Sequence, residues 1–585
     1  MNIAKKIEQI EQKYIVANND EKSQYLAAIR QFVGERGQAQ NAGDHQQWQA
    51  AIDHIYALLA DELKNRRGEP KSPIAFGTSG WRGILGKDIF CRSVAVVTAA
   101  ILAMYKEAET REDLQKALAV DSFADMQRRG CVLGFDNRFG GPLLALSAAN
   151  VLSANGVKIF YAGEATTGAL SASVLIHKAA FSINLTPSHN PMEYGGFKFN
   201  AADAGPAAPI LTDTITRLAG EFIRQQAVPF ISQDIDLQKP LDTLSGIVRE
   251  DALDSWQQLV RRGASLHGID YDALLAGFAH SKDLLVCVDA VHGASRNYIA
   301  RLLNNPPGDR LILLRGTADP TFEGIAPEPS SANMQLVMHT LADRNDALKV
   351  GAIIDPDGDR IRFTDGKREI SMNQFGAMAY HFLHEVKKKK GMVAKTVASS
   401  NLANAMADVL GEQVFEPRVG FKEFKPVQHK ALVCFEESDG ISIIGHTSEK
   451  DAFIGLILAL DMVLSRKQNL GDYLAEIEDQ YGYFYPDRDG VPVSRQGKEL
   501  LEALQGLEHF TVGSRIQVGQ EEKTITQIID IDGRKMIFDD GAWIMIRPSG
   551  TEPKVRFYVE ARKIEETTQL VQAAKSMLAE IGLLS

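Results

Sequence analysis

A chain of 585 residues in which 45% of side chains are hydrophobic can fill several cores, so roughly three to five domains are expected. Lys and Arg total 64 against 75 Asp and Glu, and the net charge of −11, with no long basic block, argues against a nucleic-acid or membrane footprint. Cys91, Cys131, Cys287 and Cys434 lie far apart without a C-x-x-C pair, which argues against zinc and disulfides and fits the cytoplasm; no signal-peptide core or membrane-length apolar run is present.

In chain order, residues 1–72 form a helical N-terminal extension. Trp48, Ile52, Ile55, Leu59 and Leu63 recur at helical spacing, similar patterns surround Ile7 to Tyr14 and Tyr25 to Phe32, and Gly68-Glu-Pro-Lys-Ser-Pro73 ends the series. The apolar stripe is expected to pack on the main body. Beyond residue 73, short apolar strands alternate with amphipathic helices, as in α/β domains with helices on both faces of a sheet. The expected strands are Cys131–Phe135, Lys158–Tyr161, Phe181–Leu185, Leu284–Val288, Val350–Ile354, Met392–Ala398 and Ala431–Phe435. Asp136, Asp289 and Asp355 each follow a strand with a glycine nearby, a faint internal repeat compatible with three related domains. The last hundred or so residues have a different rhythm. Arg515–Val518, Thr526–Ile531, Lys535–Phe538 and Trp543–Ile546 are expected antiparallel strands and Ile564–Ile581 a closing helix, giving a smaller α+β domain.

Ligands of open α/β sheets bind beyond the carboxyl ends of the strands, so the chemistry is sought in the loops there. Asp355-Pro-Asp-Gly-Asp-Arg360 sets three carboxylates at alternate positions, an arrangement that suits a hard divalent cation, magnesium first, although a solvated Asp/Gly turn has the same composition. Phe76-Gly-Thr-Ser-Gly-Trp-Arg-Gly83 combines glycines, hydroxyls and Arg82, as a phosphate site or a tight turn would. Thr186-Pro-Ser-His-Asn-Pro191 displays Ser188 between two prolines beside His189, with Lys198 downstream; that suggests a nucleophile or phosphate carrier, and the lack of a G-x-S-x-G elbow argues against a serine hydrolase. Arg547, Ser549, Gly550, Thr551 and Arg556 surround one turn as an anion cradle, or form a solvated basic loop.

Taken together, these loops resemble the α-D-phosphohexomutase superfamily. The resemblance runs from about residue 74 to the end and rests on FGTSGWRG (76–83), TPSHNP followed by GGFKFN (186–200), DPDGDR (355–360) and RPSGTEPKVRFYVEA (547–561), supported by DPTFEGIAPEP (319–329) and VGFKEFK (419–425). It implies three related α/β domains with mixed sheets flanked by helices, plus a smaller C-terminal α+β domain, around a central cleft. The implied divisions are 73–248, 249–366, 367–486 and 487–585. Ser188 would carry a phosphoryl group, and Asp355, Asp357 and Asp359 would bind Mg2+ with it. Arg82, Arg360 and Lys198 would line the reacting end, with Lys198 the general acid/base, its proton affinity lowered by Arg82 or Arg360, and His189 in support. Glu436 and Ser438 would hold sugar hydroxyls, with Gly420, Lys422 and Lys450 also touching substrate. Arg547, Ser549, Gly550, Thr551 and Arg556 would grip the phosphate that is not reacting.

The resemblance further implies interconversion of glucose 1-phosphate and glucose 6-phosphate through glucose 1,6-bisphosphate, by a cytoplasmic monomer or homodimer whose partners are sugar phosphates. The Glu436-Glu-Ser438 triplet looks like that of phosphoglucomutases, whereas Cys434-Phe435 before it departs from the usual glycine pair. Phosphomannomutase, phosphopentomutase and glucose-1,6-bisphosphate synthase activities on the same scaffold are the alternatives. An idle sugar-phosphate-binding regulator is a further one, disfavoured by the intact Ser188, Lys198 and acidic loop.

Overall fold

The computed structural model of the chain describes residues 3–16, 21–77, 80–231, 236–495, 497–549 and 554–584. Helices α1 (Ile3–Tyr14), α2 (Tyr25–Gly37) and α3 (Ala42–Asn65) open it. The Asn41 side chain caps α3 by accepting from the Asp44 amide. Trp48, Ile52, Ile55, Leu59 and Leu63 are buried, and they share one apolar core with helix Cys91–Glu107 and the first sheet. The expected stripe therefore docks on the main body.

Four sheets follow. The first holds β1 (Trp81–Ile84), β2 (Cys131–Phe135), β3 (Ile159–Glu164), β4 (Phe181–Leu185), β5 (Tyr194–Ala201) and β6 (Ile247–Arg249) in the order β1-β5-β4-β2-β3-β6, with β1 and β5 antiparallel to their neighbours. The second holds β7 (Leu284–Asp289), β8 (Leu311–Leu314), β9 (Leu348–Ile354), β10 (Ile361–Thr364) and β11 (Glu369–Ile370) in the order β11-β10-β9-β7-β8. The third holds β12 (Val393–Lys395), β13 (Val414–Phe415), β14 (Val433–Glu436) and β15 (Gly440–Ile443) in the order β13-β12-β14-β15. Central strands β2, β4 and β7 are buried along their whole length, because helices cover both faces of their sheets, and this produced their unbroken apolar runs. Several expected bounds shift, among them Thr526–Ile531, which is Glu521–Ile529, and Ala431–Phe435, which is Val433–Glu436. Met392–Ala398 shortens to β12 because a turn, Ser399 amide to Thr396 carbonyl at 2.9 Å, ends it. Asp289 closes β7 instead of following it, and Arg315 Nε reaches its two carboxylate oxygens at 2.9 and 3.0 Å.

The fourth sheet is antiparallel throughout: β16 (Tyr485–Pro492), β17 (Arg515–Val518), β18 (Glu521–Ile529), β19 (Arg534–Phe538), β20 (Trp543–Pro548) and β21 (Lys554–Ala561), in the order β16-β21-β20-β19-β18-β17. The closing helix starts with a 3₁₀ turn, Ile564–Glu566, before Thr567–Glu580. Strand alternation splits the faces. Ile544, Ile546, Val555, Phe557 and Val559 pack under the closing helix, while Trp543, Met545 and Tyr558 pack on Val397 and Ala398 of the third domain. All four cysteines are buried and unpaired. Among the described residues no helix is long and apolar enough to cross a membrane.

The seam between third and fourth domains holds a buried polar knot. Lys535 Nζ donates to the Val397 carbonyl at 2.8 Å and pairs with Glu416 Oε1 at 3.2 Å; Lys395 pairs with the other Glu416 oxygen at 3.2 Å. Burial, then the charge of Lys395, lowers the Lys535 ammonium to about 8. The folded chain thus releases this proton near pH 8, while the unfolded chain holds it to the ordinary lysine value of 10.5. Between those values the unfolded state binds the extra proton, so stability should rise with pH. Thermal unfolding of wild type and Lys535→Met should show wild type gaining on the variant as pH climbs through that window; a pH-independent difference would refute it.

Candidate active site

The serine loop joins β4 to β5, two neighbouring strands of the first sheet. Ser188 is buried with φ +58°, a left-handed backbone that a residue with a Cβ adopts only when its surroundings impose it. Its amide donates to Thr186 Oγ1 at 2.8 Å, and Thr186 Oγ1 donates to Asp136 Oδ2 at 2.7 Å. Arg138, itself buried, donates to the carbonyls of Ser188 at 2.6 Å and Pro191 at 2.7 Å and to that of Asn190, while its Nε meets Asp136. One guanidinium thus holds three backbone positions of the loop.

Ser188 Oγ points out of this frame and donates to Asp355 Oδ2 at 2.9 Å, in the loop joining β9 to β10 of the second sheet. Asp355 spends its other oxygen on the amides of Asp359 and Arg360, both at 3.0 Å, so the loop folds around its own first carboxylate. Gly358 has φ +66° and a Cβ there would lie 2.6 Å from Thr166, so only glycine fits. Asp355, Asp357 and Asp359 bring carboxylate oxygens within 4.8 Å of one another. Burial, then Asp357 and Asp359, push Asp355 well above the usual carboxylate range. Asp357 Oδ1 and Asp359 Oδ1 are buried without a hydrogen-bond partner among the described residues. Two orphaned anionic oxygens beside a third carboxylate fit a hard divalent cation bound through oxygen.

Lys198, on β5, inserts Nζ between Asp357 Oδ2 at 2.6 Å and Asp359 Oδ2 at 2.7 Å. Burial opposes its charge, but Asp357, Asp359 and Glu449 outweigh it and hold the ammonium above its ordinary value. This corrects the expectation that Arg82 or Arg360 lowers it, because the carboxylates are the nearer charges. His189 lies 3.3 Å from Ser188 Oγ, and burial, then Arg360 and Arg82, keep its imidazole neutral. Arg82 reaches Asn190 Oδ1 at 2.8 Å, and Arg360 Nε lies 3.8 Å from Asp359 Oδ1.

The third domain closes on the same place. Lys450 Nζ lies 3.5 Å from Asp359 and 3.9 Å from Glu436, with the Phe421 ring 5.6 Å beneath it. Burial raises the Glu436 carboxyl, and Lys450 pulls the other way. Gly420 (φ +130°) turns the chain into the short helix Phe421–Phe424 that carries Lys422. Ser438 is half-buried two residues past Glu436. Arg488 of β16, which the sequence had not suggested, donates to the Glu437 carbonyl at 3.3 Å. Arg547 and Arg556 face each other directly across β20 and β21, and the Ser549 amide closes the hairpin on the Lys554 carbonyl at 2.9 Å. Gly550 and Thr551 lie outside the described residues. Sequence reasoning also missed Thr167, whose hydroxyl reaches Asp357 Oδ2 at 2.7 Å; its position past the end of β3 is where such a residue could have been sought.

Comparison with known proteins agrees with this architecture. Residues 73–221, 272–368, 371–481 and 491–576 match domains I, II, III and the C-terminal domain of the phosphoglucomutase/phosphomannomutase family model. Phosphoglucomutase 1 of Drosophila melanogaster is 24% identical, the match taking in 82% of this chain and 92% of the fly protein. The phosphoglucomutase of Komagataeibacter xylinus is 24% identical over 89% of this chain and 93% of its own. The open-form crystal structure of Paramecium parafusin, a phosphoglucomutase, superposes with a TM-score of 0.66 at 19% identity, covering 88% of this chain and 96% of that one. The fold and motifs define a phosphohexomutase, an enzyme of the isomerase class. The chain belongs to the phosphoglucomutase/phosphomannomutase family.

Gly196 on β5 backs the serine loop so closely that a Cβ would lie 2.4 Å from the Thr186 carbonyl oxygen. Gly196→Ala should therefore shift the Thr186–Ser188 turn and lower kcat by about tenfold or more. Steady-state kinetics beside a melting curve checks this, and an unchanged kcat would show that the turn's position does not limit turnover.

Proposed function

We propose that the enzyme interconverts hexose 1-phosphate and hexose 6-phosphate, glucose phosphates first, through a phosphoryl group carried on Ser188. The observation that carries this reading is the 2.9 Å approach of Ser188 Oγ to Asp355 Oδ2, which sets a hydroxyl nucleophile of the first domain on the carboxylate loop of the second. Asp355, Asp357 and Asp359 would hold Mg2+, which when bound offsets their charge and polarises the phosphorus. Transfer breaks the bond between phosphorus and Ser188 Oγ and forms one to the sugar hydroxyl oxygen. Arg82 and Arg360 bring cationic donors to the reacting end, and neutral His189 supports Ser188. Lys198 is held protonated in its two ion pairs, so it can take the proton of the attacking sugar hydroxyl only after leaving Asp357 and Asp359 and losing its own.

The sugar bisphosphate then turns end for end and returns its other phosphate. Arg547 and Arg556 support this step: they stand directly opposite on neighbouring strands, where two guanidiniums can share one phosphate. With Ser549, Gly550 and Thr551 they would grip the distal phosphate, and Glu436, Ser438, Gly420, Lys422 and Lys450 would orient the ring. The relatives named phosphoglucomutases favour glucose among the sugars. The same reading divides the chain near residues 72, 248, 366 and 486 and places a monomer or homodimer in the cytoplasm.

Full-length protein should turn over glucose 1-phosphate faster than mannose, glucosamine or ribose phosphates and should depend on catalytic glucose 1,6-bisphosphate. Accumulation of bisphosphate from a separate donor would identify a synthase instead. Ser188→Ala should lower turnover by at least about a thousandfold; near-normal activity in that variant refutes the carrier role. Chelation of divalent metal should stop turnover and added Mg2+ restore it, whereas full activity in chelator would remove the cation from the reading.

A further inference from the structure

The family segments begin at residue 73 and leave α1 to α3 without a part in the reaction. Yet a continuous line of contacts runs from these helices to the Ser188 loop. On α2 the buried Arg36 guanidinium donates to Asp319 Oδ2 at 2.8 Å and Thr321 Oγ1 at 2.9 Å, crossing from the extension to the second domain. That pairing anchors a turn in which Phe322 and Glu323 both take left-handed backbone, φ +52° and +53°. Two successive residues with a Cβ hold this conformation only when their surroundings impose it.

The turn buries the Phe322 ring in the core shared by the extension and the first domain. There it lies under the Arg138 guanidinium, 5.0 Å from the ring centroid. Next to Arg138, Tyr56 of α3 stacks on Phe139, with centroids 4.1 Å apart and planes 19° from parallel. Leu63 of α3 fills the space beside Gly140, where a Cβ would meet its Cδ1 at 2.8 Å. Residues 138–140 are therefore held both by α3 and by the turn that Arg36 anchors. A guanidinium is a rigid planar fork, so a ring beneath it fixes the plane in which its N–H groups point. Those groups hold the carbonyls of Ser188, Asn190 and Pro191.

We infer that the N-terminal extension braces the phosphoryl carrier: Arg36 and Phe322 are positioning residues that aim Arg138 and, through it, Ser188. The inference rests on the Ser188 reading above. Within the proposed site, the contacts of Arg138 run to the serine loop, and the proposed sugar-binding residues stand on the third and fourth domains. Weakening the brace should therefore slow phosphoryl transfer and leave sugar-phosphate binding alone.

The test compares full-length Phe322→Leu, which keeps an apolar side chain but removes the ring face, with Arg36→Gln and with Arg36→Lys, which keeps a cation beside Asp319. Measured for each are kcat, KM for glucose 1-phosphate, the melting temperature, and the rate at which Ser188 takes up a phosphoryl group from glucose 1,6-bisphosphate, read by intact mass. Phe322→Leu and Arg36→Gln should lose about tenfold in kcat and uptake rate with KM within about twofold, and Arg36→Lys should recover most of the loss. Variants that melt lower yet match wild type in kcat and uptake rate would overturn the proposal, since the extension would then supply stability alone. Wild type that takes up no phosphoryl group on Ser188 would instead overturn the carrier reading, and the same mass spectrum separates the two failures.

Discussion

Three carboxylates buried within 4.8 Å of one another cannot all remain charged unless cations surround them, and the arrangement of the first three domains answers that demand. Lys198 arrives from the first sheet, Arg360 from the acidic loop itself and Lys450 from the third domain. Burial works against the charged form of Asp359, but Lys198, Lys450 and Arg360 outweigh it and hold that carboxyl well below its usual range. Asp355, which pairs with no lysine among the described residues, goes the other way and meets Ser188. The site is therefore assembled only when the domains dock, and its electrostatics help to hold them together.

The fourth domain stands outside this knot. Its cationic pair, Arg547 and Arg556, stands on a sheet whose contacts run to the third domain through Trp543, Met545, Tyr558 and Lys535. The proposed transfer site thus lies where the first two domains meet, while the proposed second phosphate site is carried on a domain packed against the third. The proposed bisphosphate intermediate, which must turn over between two ends, suits that separation.

Much of this was legible in the chain because its signals are local. Buried parallel strands wrote themselves as apolar runs, Ser188 and Asp355 to Asp359 sit in loops whose composition betrays them, and Arg547 stands at the end of a strand just before such a loop. Signals that depend on distant partners were not legible. The proton affinity of Lys198 was misjudged because the controlling carboxylates lie about 160 residues away, an interaction no window of sequence contains. β16 stayed hidden because Pro486, Asp487, Asp489 and Pro492 resemble a loop, and only an edge strand tolerates them. Arg138 lay in a loop already singled out, but its grip on the serine backbone depends on a fold that brings residues 138 and 188 together.

The burial of every cysteine has a practical side. Cys91 and Cys131 lie in the first domain, Cys287 in the second and Cys434 in the third, all shielded by packed helices and sheets, and the fourth domain has none. Buried in this way, none of the four thiols is open to a thiol reagent while the chain is folded. A single cysteine introduced on the outer face of the fourth domain would therefore carry a fluorophore or spin label without a background of native labelling, so the movement of that domain against the rest can be followed in an otherwise unaltered enzyme.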